Sequence, residues 1–280
     1  MSSADSDETR LDPRKVLDVL VRDVPRRFHR NLCLIGSLAA AYHFRDELER
    51  RAVNTKDADI VVQPVGSVDT VRRIALALRR DGWRWTPYSG AGLPDVRLSP
   101  PSKAGSYFVE FQGISAREQS EPVVRATIEI EGERHSVPCF RFAGLTLHDR
   151  QDALDGIRYA HPRMMALANL LSHPIVGAAR MSSPIRGRRL LRSAKDLGRV
   201  LALAHLCDPP EIVEEWIGPW ILALRDCFPR SWRRLGAGAG SGLRELLNDR
   251  NAFDEAWTAV DYGLLNRRRV TPENLRATGA

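Results

Sequence analysis

Cysteine is scarce: Cys33, Cys139, Cys207 and Cys227 are the only four in 280 residues, and no pair has C-x-x-C spacing. Neither a zinc knuckle nor a disulfide framework is indicated, and buried free thiols are expected. No stretch approaches the ~18 consecutive apolar residues of a membrane span. Residues 1–15 are polar and acidic, without an apolar signal core, so no membrane partner and a cytoplasmic protein are expected. The seven histidines show neither H-E-x-x-H nor i,i+4 pairing, which argues against a zincin-type site. No G-x-S-x-G elbow supports Ser-His-Asp hydrolysis. The glycine-rich stretch 236–242, GAGAGSG, lacks the G-x-x-x-x-G-K-[ST] phosphate-loop pattern and reads as a flexible loop. No internal repeat is evident.

What is present is a soluble, globular composition, with 43% hydrophobic and 28% charged residues. The formal charge of +7, from 42 Lys+Arg against 35 Asp+Glu, favours a polyanionic partner or a nucleotide. The chain is long enough for a substantial core and for two domains of ordinary size.

The most informative stretch is 32–62, LCLIGSLAAAYHFRDELERRAVNTKDADIVV. An apolar run ends in Gly36-Ser37, a helix-like stretch follows, and a second apolar run opens with Asp57-Ala58-Asp59. Side chains alternate along a strand, so Asp57 and Asp59 share a face, about 6.6 Å apart along the chain. Two carboxylates this close raise one pKa unless something positive lies between them, and a divalent cation such as Mg²⁺ (or Mn²⁺) suits both the pair and phosphate chemistry. The bland alternative is a strand mouth with two solvated acids. Gly36-Ser37 weighs against it, because Ser37 as an N-cap would open a helix whose backbone N–H groups meet an anion, and Gly36 would let a phosphate come close.

Taken with Thr55-Lys56-Asp57-Ala58-Asp59, this pattern resembles the signature of the DNA polymerase beta-type nucleotidyltransferase superfamily, and within it the toxin-like proteins of abortive-infection systems (AbiEii- and MenT-like). The resemblance implies an α/β (α+β) fold in which a nucleotidyltransferase-type mixed sheet domain precedes a helical one. It implies transfer of a nucleoside monophosphate from an NTP to a hydroxyl acceptor such as RNA, with an antitoxin protein as partner. It also implies a third carboxylate on a neighbouring strand. Glu110, in Ser-Tyr-Phe-Val-Glu-Phe-Gln, is the preferred candidate, because an acid inside so apolar a strand is costly unless paired or liganded. Asp95 and Glu129 are rivals, and alternation puts Glu129 on a polar strand face.

Elsewhere residues 1–12 are expected to be a disordered tail, with a helix starting at Asp12-Pro13. Residues 69–80 have helical spacing, and short strands are expected at 83–85, 96–98, 107–111, 123–130 and 136–140. The 19 residues between Ser37 and Asp57 suggest an extended intervening helix. The expected domains are 13–148, nucleotidyltransferase-like, and 149–280, mainly helical. In the latter, 161–171 reads as a buried helix carrying Asn169, where the related toxins carry a phosphate-contacting Lys.

Arg180 to Asp196, RMSSPIRGRRLLRSAKD, has no acid before its last residue. It reads either as a solvated face or as a cationic lining of the nucleotide cleft, with Arg188 and Arg189 as phosphate contacts. Lys195-Asp196-Leu197 resembles the K-D-L segment of those toxins, which implies a phosphate contact at Lys195 and an acid or ion-pair partner at Asp196. Trp216, Trp220, Trp232 and Trp257 read as packing anchors, and residues 266–269 as a small basic cluster. The alternative function is a nucleotidyltransferase fold that binds or regulates without catalysing. A bare D-x-D also suits a glycosyltransferase, but the helix between Gly-Ser and D-A-D argues against that.

Overall fold

The computed structural model describes residues 10–46, 53–64, 68–87, 92–101, 107–115, 118–207, 209–265 and 270–279. The N-terminal tail up to residue 9 and the basic cluster at 266–269 lie outside the described residues. The architecture is mixed α/β. Its elements run β1 (Arg10–Leu11), α1 (Pro13–Asp23), β2 (Leu32–Leu34), α2 (Gly36–His43), β3 (Val53–Asn54), β4 (Asp57–Val62), α3 (Val68–Arg80), β5 (Arg84–Trp85), β6 (Arg97–Ser99), β7 (Phe108–Gln112), β8 (Val123–Ile130), β9 (Glu133–Phe140), β10 (Gln151–Leu154) and β11 (Ile157–Tyr159). Helices follow: α4 (Pro162–Ser172), α5 (Arg192–Leu206), α6 (Pro209–Cys227), α7 (Trp232–Gly238), α8 (Ser241–Asn248), α9 (Arg250–Tyr262) and α10 (Pro272–Thr278).

Seven strands form one mixed sheet in the order β10-β11-β2-β4-β7-β6-β5. β11 is parallel to β2 and β4 is parallel to β7, while the other neighbours are antiparallel. The central strands β4 and β7 are buried along Ile60–Val62 and Val109–Phe111, which explains their unbroken apolar runs. α1 and α3 each bury one stripe, Val16, Leu17 and Leu20 on the first and Val71, Ile74, Ala75 and Leu78 on the second. Asp12 caps α1 by accepting from Arg14 N at 2.9 Å.

Four expectations need correction. Residues 10–12 are ordered rather than part of a tail, because Leu11 is buried and pairs through β1 with β3. β10 and β11 complete the sheet beside β2, so residues 151–159 do not lie beyond a boundary at 148, and the change to helices comes at Pro162. One cluster of buried side chains runs from Leu17 and Ile60 through Leu201 and Phe253 to Leu275, so the sheet and the later helices share a core. α2 ends at His43 instead of extending towards Asp57. The glycine-rich stretch is largely helical, in α7 and α8, because Trp232, Leu235 and Ala239 pack on the small core around Phe142, Leu167 and Phe228 and outweigh the low propensity of glycine.

α5 packs closely on α9. At Gly198 an added Cβ would lie 2.9 Å from Ala256 O and 3.0 Å from its Cβ, so only glycine lets the two backbones approach this far. That contact fixes the helix carrying Lys195. All four cysteines are free, with Cys33 and Cys139 buried.

Candidate active site

Asp57 and Asp59 occupy the first and third positions of β4 and therefore point to one face of the sheet. β7 runs beside β4 in parallel register with Glu110 opposite Asp59, so the third acid stands next to the pair. The Thr55 hydroxyl donates to Asp57 Oδ1. Gln112 Nε2 donates to Asp59 Oδ1 at 3.3 Å. Burial pushes the Asp59 carboxyl well above its ordinary value, and the charges of Asp57 and Glu110 push it further, opposed by Lys195 and Arg199.

The β2–α2 junction closes over this acid. Ile35 N donates to Asp59 O at 2.9 Å, and Gly36 follows with φ +71°. A Cβ at Gly36 would lie 3.0 Å from Asp59 Oδ2, so glycine is required both by the left-handed backbone and by the carboxylate packed against it. Gly36→Ala is accordingly expected to cost roughly 1–2 kcal/mol through the backbone alone. Displacing Asp59 should also weaken any binding of Mn²⁺ by the acid pair, which a metal titration alongside urea unfolding would measure. Unchanged affinity would mean that the approach of Gly36 to Asp59 has no part in cation binding.

Ser37 does not cap α2. Ile35 holds the cap position with no side-chain hydrogen bond, so the first amides of α2 are left without a side-chain acceptor. The Ser37 hydroxyl instead accepts from Arg199 Nη2 at 3.3 Å. Lys195 and Arg199 are four residues apart on α5 and present one face to the acids. Asp196, between them in sequence, is hydrogen-bonded to His173 Nε2 at 3.0 Å and lies 3.7 Å from Arg199 Nη1. Burial alone would raise its pKa, but the His173 bond and the charges of Lys195 and Arg199 prevail and hold it well below the usual carboxylate range.

Of the three candidates for a third acid, only Glu110 reaches the pair. Asp95 is bound by Arg125 and by the Ser136 hydroxyl, and Glu129 is exposed on β8. Glu110 is buried and held by Arg97 Nη2 at 2.9 Å from the facing position on β6. Burial raises its pKa and Arg97 works against that rise. Among the described residues no group of three His, Cys, Asp or Glu is arranged to hold a metal ion. Asp57 and Asp59 fit a divalent cation, since their mutual repulsion calls for one, whereas Glu110 already has a cation in Arg97.

Arg188 and Arg189 are exposed on a tight turn at 185–188 and the strand-like segment after it. That segment is tied to α9: Arg180 Nη1 meets Glu255 Oε1 at 2.6 Å and Arg186 Nη1 meets Asp261 Oδ2 at 2.9 Å. Neither Arg188 nor Arg189 is among the charges acting on Asp59. α9 nevertheless ends close to the acids, because Tyr262 O accepts from Asn54 Nδ2 at 2.7 Å, three residues before Asp57. Asn169 is half-buried in α4, and its Nδ2 is buried with no partner among the described residues.

Arg199, Gln112, Arg97 and His173 escaped the reading of the sequence. The first two had a signal: Arg199 follows Lys195 by one helical turn, and Gln112 follows Glu110 by one strand repeat. Arg97 and His173 come from distant segments with no local sign of the partner. No helix among the described residues is long and apolar enough to cross a membrane. No family model matches the chain, and no curated protein or solved structure matches it.

Proposed function

We propose that the chain is a Mg²⁺- or Mn²⁺-dependent nucleotidyltransferase with a nucleotidyltransferase-type fold. A hydroxyl of the acceptor attacks the α-phosphorus of an NTP and loses its proton to water, the bond to the β-phosphate oxygen breaks, and pyrophosphate leaves. The observation that carries this reading is the meeting of an acid pair, a glycine-opened helix start and two cations within one site: Asp59 under Gly36, with Arg199 on Ser37 and Lys195 beside it. When bound, the divalent ion would neutralise phosphate charge as it shifts to the leaving group. Asp57 and Asp59 would hold the ion, the first amides of α2, which have no side-chain cap, and the Ser37 hydroxyl would receive phosphate oxygens, and Lys195 and Arg199 would balance the remaining charge. A transfer assay with α-labelled NTPs and candidate RNA acceptors tests the reading. Equal labelling by wild type and the Asp57→Ala, Asp59→Ala double variant would end it.

The same reading makes the protein the cytoplasmic toxin of a toxin–antitoxin or abortive-infection pair. Growth arrest on expression, relieved by a neighbouring gene product, is the expected outcome. RNA as acceptor draws on the exposed arginines beside α9. Arg188→Ala with Arg189→Ala is expected to weaken acceptor binding and to flatten its salt dependence, the slope falling by about 0.7 for each single-strand phosphate that is no longer neutralised. Equal affinity at low and high salt would make this segment a solvated face.

A second reading, a nucleotidyltransferase-like binding or regulatory module without catalysis, draws on the ion pair that holds Glu110 and on the unpartnered Asn169 amide. Calorimetry separates the two: nucleotide binding indifferent to Mg²⁺ favours the module.

A further inference from the structure

β4 and β7 are parallel, so both send their carboxyl ends to the side of the sheet away from Asp57 and Asp59. In open α/β sheets the crevice outside the carboxyl ends of the strands is a place where ligands bind. Here Gln63, just after β4, and Ile114, just after β7, line a groove of about 520 Å³ closed on its far side by the end of α6. Its volume falls within the ~300–1,000 Å³ of small-molecule sites.

The apolar part of the lining is Ile114, Leu147 and Phe228, and the cationic part is Arg141 and Arg150. Arg141 lies over the Phe142 ring, 5.0 Å from its centroid, and its Nε is buried with no acceptor among the described residues. Arg150 Nη1 donates to Gln63 Oε1 at 2.8 Å, which orients its guanidinium. Neither arginine has a carboxylate partner among the described residues. The acids on the groove are turned to other groups, Asp226 to His148 Nε2 at 3.2 Å and Glu118 to the Ser231 hydroxyl. The Arg141 guanidinium and the part of the Arg150 guanidinium not given to Gln63 thus remain for a planar or tetrahedral anion beside an apolar surface.

The groove is not set up for covalent chemistry. Burial and the neighbouring Asp226 push the Cys227 thiol up to about 11, so it stays protonated. His148 Nε2, 3.4 Å from its sulfur, is the same atom that faces Asp226.

We propose that this groove is a second ligand site, separate from the acid pair, for a small organic anion: a carboxylate or phosphate carried on an apolar or aromatic body. The test is titration calorimetry on the full chain with phenyl phosphate and benzoate, with inorganic phosphate and benzyl alcohol carrying one feature each. One or both aromatic anions should bind once per chain, and the one that binds tells phosphate from carboxylate. Arg141→Met and Arg150→Met should each weaken that binding by about tenfold or more. The Arg side-chain N–H resonances of Arg141 and Arg150 should shift on titration of the wild type, a readout that does not depend on a variant. Asp59→Asn should leave the affinity unchanged, which separates this site from the nucleotide site. The proposal is overturned if neither aromatic anion binds at millimolar concentration, if both arginine variants bind like wild type, or if Asp59→Asn loses the ligand. Inorganic phosphate binding as tightly as phenyl phosphate would overturn the apolar body.

Discussion

Asp59→Asn is expected to lower the proposed nucleotidyl transfer by about 10²–10³-fold, the loss typical of removing one preorganised charge-stabilising group, and at the same time to stabilise the fold near neutral pH. Both effects have one cause. Asp59 is taken out of water beside Asp57 and Glu110, so its folded-state pKa stands above its ordinary 3.8. A group shifted in this direction contributes fully to stability below its unfolded pKa, where both states are protonated, and the contribution is lost as pH rises through the folded value. At neutral pH the wild type therefore bears the cost of holding a carboxyl that ionises freely only in the unfolded chain, a cost that asparagine removes while keeping an oxygen for the Gln112 hydrogen bond. Urea unfolding of the two proteins at pH 7 and below pH 3.8 measures this: the asparagine variant should be more stable at the first pH and lose that advantage at the second. Added Mg²⁺ should close the gap from the wild-type side, because an ion bound only by the folded state stabilises it by mass action. A variant no more stable than wild type at pH 7 would contradict the electrostatic account of the site, whatever its activity.

That site was legible in sequence to the extent that its members lie close along the chain. Asp57 and Asp59 follow from the period of a strand, and Gly36 from a strand handing over to a helix. The position of Glu110 beside Asp59 was readable only as an oddity, an acid within an apolar strand. Its partner Arg97 sits across a strand pair whose register no local pattern states. Ser37 shows the limit of local reasoning. Its residue type and place suit an N-cap, yet Arg199, 162 residues away, takes its hydroxyl and Ile35 takes the cap position.

The fold divides along similar lines. Helices with a clear apolar stripe, α1 and α3, lie where periodicity expects them, because each buries its stripe on the sheet. β10 and β11 were missed as sheet members. Gln151–Leu154 is only partly buried, and the alternation of β11, Ile157 and Tyr159 buried with Arg158 between them, is three residues long and too short to stand out. Their place is fixed by the parallel pairing of Arg158 and Tyr159 with Cys33 and Leu34, a long-range contact. Glycine in α7 misled for the opposite reason: propensity spoke for a loop, and packing of the partly buried Trp232 and Leu235 against a separate cluster decided for helix.

The pair His43 and His161 gives the second large effect, a loss of stability in acid. The rings meet edge to face with centroids 4.8 Å apart, His43 Nδ1 lies 3.2 Å from Tyr159 Oη, and His161 Nδ1 accepts from Arg163 N at 3.3 Å at the start of α4. Burial, then His43, then Arg163 lower the pKa of His161 from 6.5 to about 4, and Asp149 opposes them only in part. A group with a depressed folded pKa contributes stability that is present above the unfolded value and is lost as pH falls through the folded one. The window is therefore pH 6.5 down to about 4. A shift of that size corresponds to about 3 kcal/mol at its low end, and the side chain is only 17% exposed, so screening removes little of it. Asparagine is the informative replacement, since it caps a helix as well as any residue and does not titrate. Wild type should lose about 3 kcal/mol more than His161→Asn across that window in urea unfolding. His135, which burial also lowers, titrates in both proteins and cancels in the comparison. Parallel pH profiles for the two proteins would mean that His161 is not held neutral in the folded chain.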